Sequence, residues 1–291
     1  MRLRPLGPGA PTVSAVGYGG MHLSLVDRPP EAEGVRVIHA ALDAGVTLID
    51  TADVYCLDQN DIGHNERLVA QALASWNGPR GRVLVATKGG LTRPSGRWER
   101  DGRPEHLREA CERSLRALGR DSIDLYQLHA PDSKIRLEDS VGALADLRRE
   151  GKIRLVGLSN VTVGEIKTAE AIVPITSVQN RLNPFFREAL DGGVVRYCAE
   201  RGIGFLAYSP TGGGRLTKTL PNHPVLKPMA AELGVTAHQL VLAWVLAQGR
   251  SVIPIPSARR VEHAQSSARA ADLELSAVDL ERITRAEFDR N

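Results

Sequence analysis

Asp50, Tyr55, Lys88 and His129 are the residues of this chain whose types and placement best suit chemistry. Asp50 follows the apolar run Gly45-Val46-Thr47-Leu48-Ile49 and opens Asp50-Thr51-Ala52-Asp53-Val54-Tyr55. Lys88 closes Val83-Leu84-Val85-Ala86-Thr87, and His129 closes Ile123-Asp124-Leu125-Tyr126-Gln127-Leu128. A carboxylate at the end of a buried strand is costly unless a cation pairs with it, and Lys88 is the available partner. A phenol, with an ordinary pKa of roughly 10, is a weak acid near neutrality, and burial weakens it further. An ammonium about 4 Å away, at an effective dielectric of ~20, favours the phenolate by about 4 kcal/mol, and desolvation cancels part of that. Lys88, kept protonated by Asp50, would supply this field to Tyr55, while His129 orients an incoming carbonyl oxygen. The chemistry in view is proton donation to a developing alkoxide, which requires a hydride as well.

These residues need strands to hold them. A unit repeats along the chain in which an amphipathic helix ends in glycine and an apolar strand follows. The junctions are Ala44-Gly45-Val46, Leu118-Gly119-Arg120, Glu150-Gly151-Lys152, Arg201-Gly202-Ile203 and Gln248-Gly249-Arg250. The spacing predicts a helix over 104–118, with Pro104 in its first turn, and capping boxes at Thr162/Glu165 and Ser276/Asp279. Eight strands are predicted, over 15–19, 46–50, 83–87, 123–128, 153–158, 175–179, 203–207 and 251–255. Apolar strands alternating with helices imply a parallel sheet. Eight such units close most simply into an α/β (β/α)₈ TIM barrel, a single domain over 1–291 preceded by a short N-terminal β-hairpin within 1–15. A doubly wound open sheet is disfavoured, because no strand leads into Gly-x-Gly-x-x-Gly. The loops 89–103, carrying Trp98, and 208–223, carrying Thr211-Gly212-Gly213-Gly214, are long enough to be lids or binding loops.

In a barrel the site lies at the C-terminal strand ends. Those ends read Gly19-Gly20-Met21, Asp50, Lys88, His129, Ser159-Asn160, Gln179-Asn180, Tyr208-Ser209 and Pro256-Ser257, polar groups placed directly after apolar runs. Composition narrows the classes. The formal charge of +3 comes from interspersed acids and bases, with no Lys/Arg run of the kind that tracks nucleic acid. No apolar run is long enough to span a bilayer and no signal peptide is evident, so a cytoplasmic location is expected. Cys56, Cys111 and Cys198 are scattered, giving neither a disulfide framework nor metal spacing, and reduced thiols are expected. Asp58, Asp61 and His64 fit no usual ligand set, so no metal is expected and exposed loop polarity accounts for them.

Asp50-Thr51-Ala52-x-x-Tyr55, Lys88 and His129 after Leu125-Tyr126-Gln127-Leu128 resemble the catalytic tetrad of the aldo-keto reductases. The resemblance continues through Gly157-Leu158-Ser159-Asn160, Val178-Gln179-Asn180, Ala207-Tyr208-Ser209-Pro210 and Ile253-Pro254-Ile255-Pro256-Ser257, covering essentially the whole chain. It implies a (β/α)₈ barrel binding NADP(H) over its C-terminal mouth and reducing a small-molecule carbonyl. Hydride would pass from nicotinamide C4 while Tyr55 delivers the proton as general acid. Lys88 and Asp50 would tune it, and His129 would orient the carbonyl. Ser159, Asn160 and Gln179 would hold the carboxamide, with Tyr208 stacked on the nicotinamide and Gly20, Met21 and Asp50 beside it. The loop with Ser209, Pro210, Thr211, Gly212 and Leu216 would cover the pyrophosphate. Ile255, Pro256, Ser257 and Ala258 would lead to Arg259, Arg260 and His263 at the 2′-phosphate, favouring NADPH over NADH.

The chain departs from the family pattern at Thr211, at Ser257, and at Ser266-Ser267 where a Glu-Asn commonly grips adenine; Gln265 is a substitute for that contact. The style resembles the branch containing pyridoxal reductases and other bacterial broad-range reductases, so an aromatic aldehyde such as pyridoxal is a first substrate to try. Trp98 is a candidate pocket wall beside Tyr55 and His129, or packs its own loop; Phe185 and Phe186 read equally as core. Two rivals stay open. One is a Schiff-base lyase with Lys88 as nucleophile, the other a non-catalytic NADP(H)-binding regulatory subunit.

Overall fold

The structure, a computed structural model, describes residues 1–290. A hairpin of β1 (Leu3–Pro5) and β2 (Thr12–Ser14) comes first, followed by β3 (Tyr18–Gly19), α1 (Glu31–Asp43), β4 (Leu48–Asp50), α2 (His64–Ser75) and β5 (Leu84–Gly89). A small hairpin, β6 (Leu91–Thr92) with β7 (Glu99–Arg100), lies in the loop before α3 (Pro104–Leu118). Then come β8 (Ile123–Leu128), α4 (Leu137–Arg149), β9 (Ile153–Ser159), α5 (Val163–Glu170) and β10 (Ser177–Arg181). The chain ends with α6 (Glu188–Asp191), α7 (Val194–Arg201), β11 (Gly204–Tyr208), α8 (Leu226–Leu233), α9 (Ala237–Leu246), β12 (Val252–Pro254), α10 (Val261–Arg269) and α11 (Ala277–Arg285).

The order β12-β11-β10-β9-β8-β5-β4-β3 is parallel throughout. Backbone bonds from Gly17 to Pro254 O and from Gly19 to Pro256 O, both 2.9 Å, join the outer strands and close the barrel. The seam is tight: a Cβ on Gly19 would lie 2.8 Å from Ile255 O. Leu48, Leu84, Ala86, Leu125, Leu155, Leu206 and Ile253 fill the interior, and Leu6 from the hairpin turn plugs it. At Gly204 a Cβ would lie 2.0 Å from Leu6 O, so the plug seats only against glycine. The wider apolar layer lies between sheet and helices, where each fully buried Val, Leu or Ile contributes about 1.5–3 kcal/mol.

All eight predicted strands form, although β3, β4 and β12 are shorter than the apolar runs that announced them. Gly45, Gly119, Gly151 and Gly202 take the left-handed backbone expected after a helix, with φ of 92°, 61°, 76° and 68°. Gly249 does not, and the last junction is a plain turn. The capping box at Thr162 forms in full, whereas Ser276 accepts from Asp279 N without the reciprocal bond. A further box, Thr236 with Gln239, starts α9. Among the described residues no single helix is long and apolar enough to cross a membrane.

Candidate active site

Lys88 sits at the centre. It has no exposure to solvent, and its ammonium donates to Asp50 Oδ1 at 2.6 Å, Thr51 O at 2.8 Å and Tyr55 Oη at 3.0 Å. Those three bonds use every donor an ammonium has. Asp50 Oδ2 accepts from Gln179 Nε2 at 2.6 Å and from Gln127 Nε2 at 3.3 Å, so β4, β5, β8 and β10 converge on one carboxylate. Burial disfavours the charge on Lys88, but Asp50 and then Tyr55 outweigh it and hold its pKa above the ordinary lysine value. An ammonium so held has no lone pair to offer, which removes support from the Schiff-base rival.

Tyr55 departs from expectation. Burial pushes its pKa above 10.0, and the lowering by Lys88 offsets only part of this because Asp50 acts the other way. The phenol therefore keeps its proton through neutral pH. Its ring meets His129 edge-on at 5.8 Å and Trp98 at 6.4 Å, and Trp98 meets His129 at 6.4 Å, so the three candidate pocket residues form one aromatic corner. His129 is buried, and burial followed by the charge of Lys88 holds its pKa well below 6.5. It is neutral, and its Nδ1 has no hydrogen-bond partner among the described residues. A neutral imidazole carries one N–H. A proton stranded on Nδ1 would be unsatisfied, so Nε2 is the donor.

The next strand ends adjoin this corner. Asn160, in left-handed backbone with φ 58°, donates from Nδ2 to His129 O at 3.0 Å and Ser159 Oγ at 3.1 Å, and accepts from Tyr208 Oη at 2.8 Å. Tyr208 is half-buried. Ser209 also takes positive φ, 47°, and leads through Pro210 to the partly covered Thr211 and Gly212 and the buried Leu216. Gly20 N is bonded to Asp50 O at 2.8 Å, with Met21 half-buried beside it. Ile255, Pro256 and Ala258 are buried, and Ser257 Oγ accepts from His22 N at 3.4 Å. Arg259, Arg260 and His263 are exposed; Arg259 donates to Asp27 O at 2.9 Å, and Arg260 pairs with Glu262 at 2.7 Å. Gln265 instead lines a groove with Asp43, Ala44 and Arg269, at the C-terminal ends of α1 and α10.

The 56–63 segment needs a correction. His64 is not exposed loop polarity: it is buried at the start of α2, bonded through Nδ1 to Ser24 Oγ at 2.7 Å. Asp61 pairs with Arg28 at 2.5 Å. Cys56, Cys111 and Cys198 are free and buried, and burial pushes each thiol up to about 12. Phe185 is core, and Phe186 lies under the Arg181 guanidinium at 3.6 Å.

Two supporting residues escaped the sequence reading. Gln127 occupies the inward phase of β8 between Leu125 and His129, and a polar residue breaking an inward apolar row was the available signal. Asn65 accepts from Thr51 Oγ1 at 2.6 Å and donates to Gly20 O at 2.8 Å, tying the ends of β3 and β4 together. No spacing announced it.

With this geometry in view, the comparisons agree. The aldo/keto reductase family model matches residues 15–287. The chain is 34% identical over 269 residues to an uncharacterized oxidoreductase of Schizosaccharomyces pombe, covering 91% of this chain and 83% of that protein. It is 34% identical over 303 residues to a probable aldo-keto reductase of Glycine max, covering 94% and 85%. The structure of an aldo-keto reductase from Klebsiella pneumoniae in complex with NADPH matches with a TM-score of 0.82 and 28% identity, over 98% of this chain and 95% of that one. The chain belongs to the aldo/keto reductase family.

Proposed function

We propose that this chain is an NADPH-dependent oxidoreductase that reduces an aldehyde or ketone to the alcohol, with Tyr55 as the proton donor. The observation that carries the reading is the Lys88 ammonium, bonded at once to Asp50 and to Tyr55 Oη in a fully buried setting. A phenol that keeps its proton at neutral pH is loaded for reduction. As charge develops on the carbonyl oxygen, Lys88 stabilises the phenolate that Tyr55 becomes, and Asp50, held by two glutamines, keeps Lys88 in place. His129 is the second donor, through Nε2–H, and being neutral it orients the oxygen without competing as an acid. Trp98, with Tyr55 and His129, offers a partly apolar wall suited to an aromatic carbonyl.

The residues present fit the cofactor. Ser159, Asn160 and Gln179 supply amide and hydroxyl groups at adjoining strand ends, and the half-buried Tyr208 offers a ring for stacking. Positive φ at Gly212, Gly213 and Gly214 (97°, 70° and 47°) allows close backbone approach to a pyrophosphate. Arg259 and Arg260, before the N-terminus of α10, form a basic site for the 2′-phosphate. When bound, NADPH supplies the hydride. Similarity to the enzyme from Klebsiella pneumoniae that binds NADPH supports this choice.

The deciding experiment mixes the protein with NADPH, and separately NADH, and follows nicotinamide absorbance over an aldehyde panel that includes pyridoxal. Carbonyl-dependent loss of signal, faster with NADPH, is the expected result. Tight cofactor binding without turnover of any carbonyl would favour a binding subunit instead.

A further inference from the structure

Arg93, on the loop between β6 and β7, is a buried cation that the tetrad does not use. Only 5% of it is exposed. Its Nη2 donates to Cys56 O and Leu57 O, both at 3.1 Å, while Nε and Nη1 are buried without an acceptor. No carboxylate among the described residues forms an ion pair with it, although many other arginines of this chain have one. A buried guanidinium is stable when charge or full hydrogen bonding compensates it. Here it has two carbonyls, the neighbouring Cys56 thiol and the face of one indole, and no carboxylate: Trp98 covers it, 4.0 Å from ring centroid to guanidinium carbon.

That indole is also the wall of the aromatic corner, 6.4 Å from Tyr55 and from His129. It is 46% exposed, on a turn where Ser95 and Gly96 take φ of 48° and 78°. Trp98 thus touches both the tetrad's pocket and the guanidinium of Arg93, whose Nε and Nη1 carry three N–H groups without a hydrogen-bond acceptor. From this arrangement we infer that the carbonyl compounds reduced here carry a carboxylate, received by Arg93 when Trp98 tilts aside. The inference rests on the reductase reading and names its substrate class. The reacting carbonyl sits against Tyr55 and His129 and the anion lies beside the indole, so the two groups stand at opposite ends of the substrate. Arg93 is a specificity residue in this scheme and takes no part in proton transfer.

The test uses matched probes, 4-carboxybenzaldehyde and 4-formylbenzamide, of equal shape and differing in charge. The carboxamide withdraws electrons more strongly, so intrinsic reactivity runs against the expected order. Wild-type kcat/KM should favour the carboxylate by about ten-fold or more, the scale of one charge-assisted hydrogen bond. Arg93→Gln should reduce that ratio to near unity while leaving the amide little changed, and Arg93→Lys should keep part of it. A merely structural Arg93, stapling residues 56 and 57, would lower both substrates together. Wild-type protein without the preference, or a preference that survives Arg93→Gln, overturns the inference. If Arg93→Gln does not fold, Arg93→Lys and the wild-type ratio still decide. If no aldehyde is reduced, the reductase reading fails separately, and binding of benzoate against benzamide by calorimetry decides this one. Benzoate bound more tightly in an Arg93-dependent way supports it; equal or absent binding overturns it.

Discussion

Gln179 and Asp50, 129 residues apart in sequence, meet at the barrel mouth, Gln179 Nε2 donating to Asp50 Oδ2 at 2.6 Å. The amide thereby joins the cofactor's expected carboxamide site to the group that holds Lys88. Replacing it tests that link. Gln179→Glu sets a second carboxylate against Asp50, and two such groups at hydrogen-bond distance cannot both ionise cheaply. One then retains a proton, so kcat/KM should become pH-dependent, falling as pH rises and that proton is lost. Gln179→Met should weaken cofactor binding without the new titration. Identical pH profiles for the two variants would mean that Gln179 does not bear on Asp50.

Tyr55→Phe removes the donor oxygen and one acceptor of the Lys88 ammonium, but leaves the ring that packs against His129. The reduction rate should fall by about 10²–10⁴-fold, the usual share of a general acid. Cofactor affinity, measured by fluorescence titration, should stay close to wild type. Undiminished turnover would take Tyr55 out of its role.

The pH profile follows from two directions of shift. His129 is depressed well below 6.5, so it stays neutral into acid solution, as the proposed carbonyl-orienting role requires. Tyr55 is raised above 10.0, so the proton it would donate is retained until strongly basic pH. Carbonyl reduction measured as kcat/KM should therefore be flat across the neutral range and fall only at high pH, while alcohol oxidation, which needs the phenolate, should rise with pH. A reduction limb falling between pH 6 and 8 would require a different donor, since roughly 6.5 is the range of an ordinary imidazole.

Arg259 and Arg260 are exposed, so their replacement should not disturb folding. Arg260 is already paired with Glu262 at 2.7 Å, an exposed contact worth little. The double change Arg259→Ala/Arg260→Ala should narrow the preference for NADPH over NADH in kcat/KM, and Glu262→Gln, which frees Arg260, should widen it. Both effects should shrink at high salt. An unchanged ratio would place the 2′-phosphate elsewhere.

The sequence made some of this legible and hid the rest for physical reasons. Asp50, Lys88 and His129 stood out because each ends an apolar run, and a barrel brings such ends together by its topology. Gln127, Asn65 and Arg93 did not stand out. The first hides inside a strand, the second in the first turn of α2, the third in a loop, and only three-dimensional packing makes them buried. The same limit explains Tyr55: Lys88 was foreseeable as its neighbour, but the extent of burial, which decides the direction of its pKa, was not. Strand positions were clear from apolar runs, whereas the closing contact between Gly19 and Pro256 joins residues far apart in sequence.

Burial of an acid with one distant cation gives the last prediction. Asp53, three residues beyond Asp50 and fully buried, has no side-chain hydrogen-bond partner among the described residues, and the backbone N–H of Val54 compensates it only in part. Burial and then the nearby Glu66 raise its pKa well above 3.8. Arg113 opposes this from 3.9 Å, but it is partly exposed and makes no hydrogen bond to the carboxylate, so burial prevails. A carboxyl whose folded pKa is raised binds more protons folded than unfolded. Its contribution to stability is therefore greatest below the unfolded pKa and declines as pH rises towards the folded one. Asp53→Asn removes that titration at constant shape. The variant should melt higher than wild type at neutral pH, and its stability should decline less between about pH 4 and 7, the range above an ordinary carboxylate. A variant that melts lower at every pH would show Asp53 to be charged and held by Arg113.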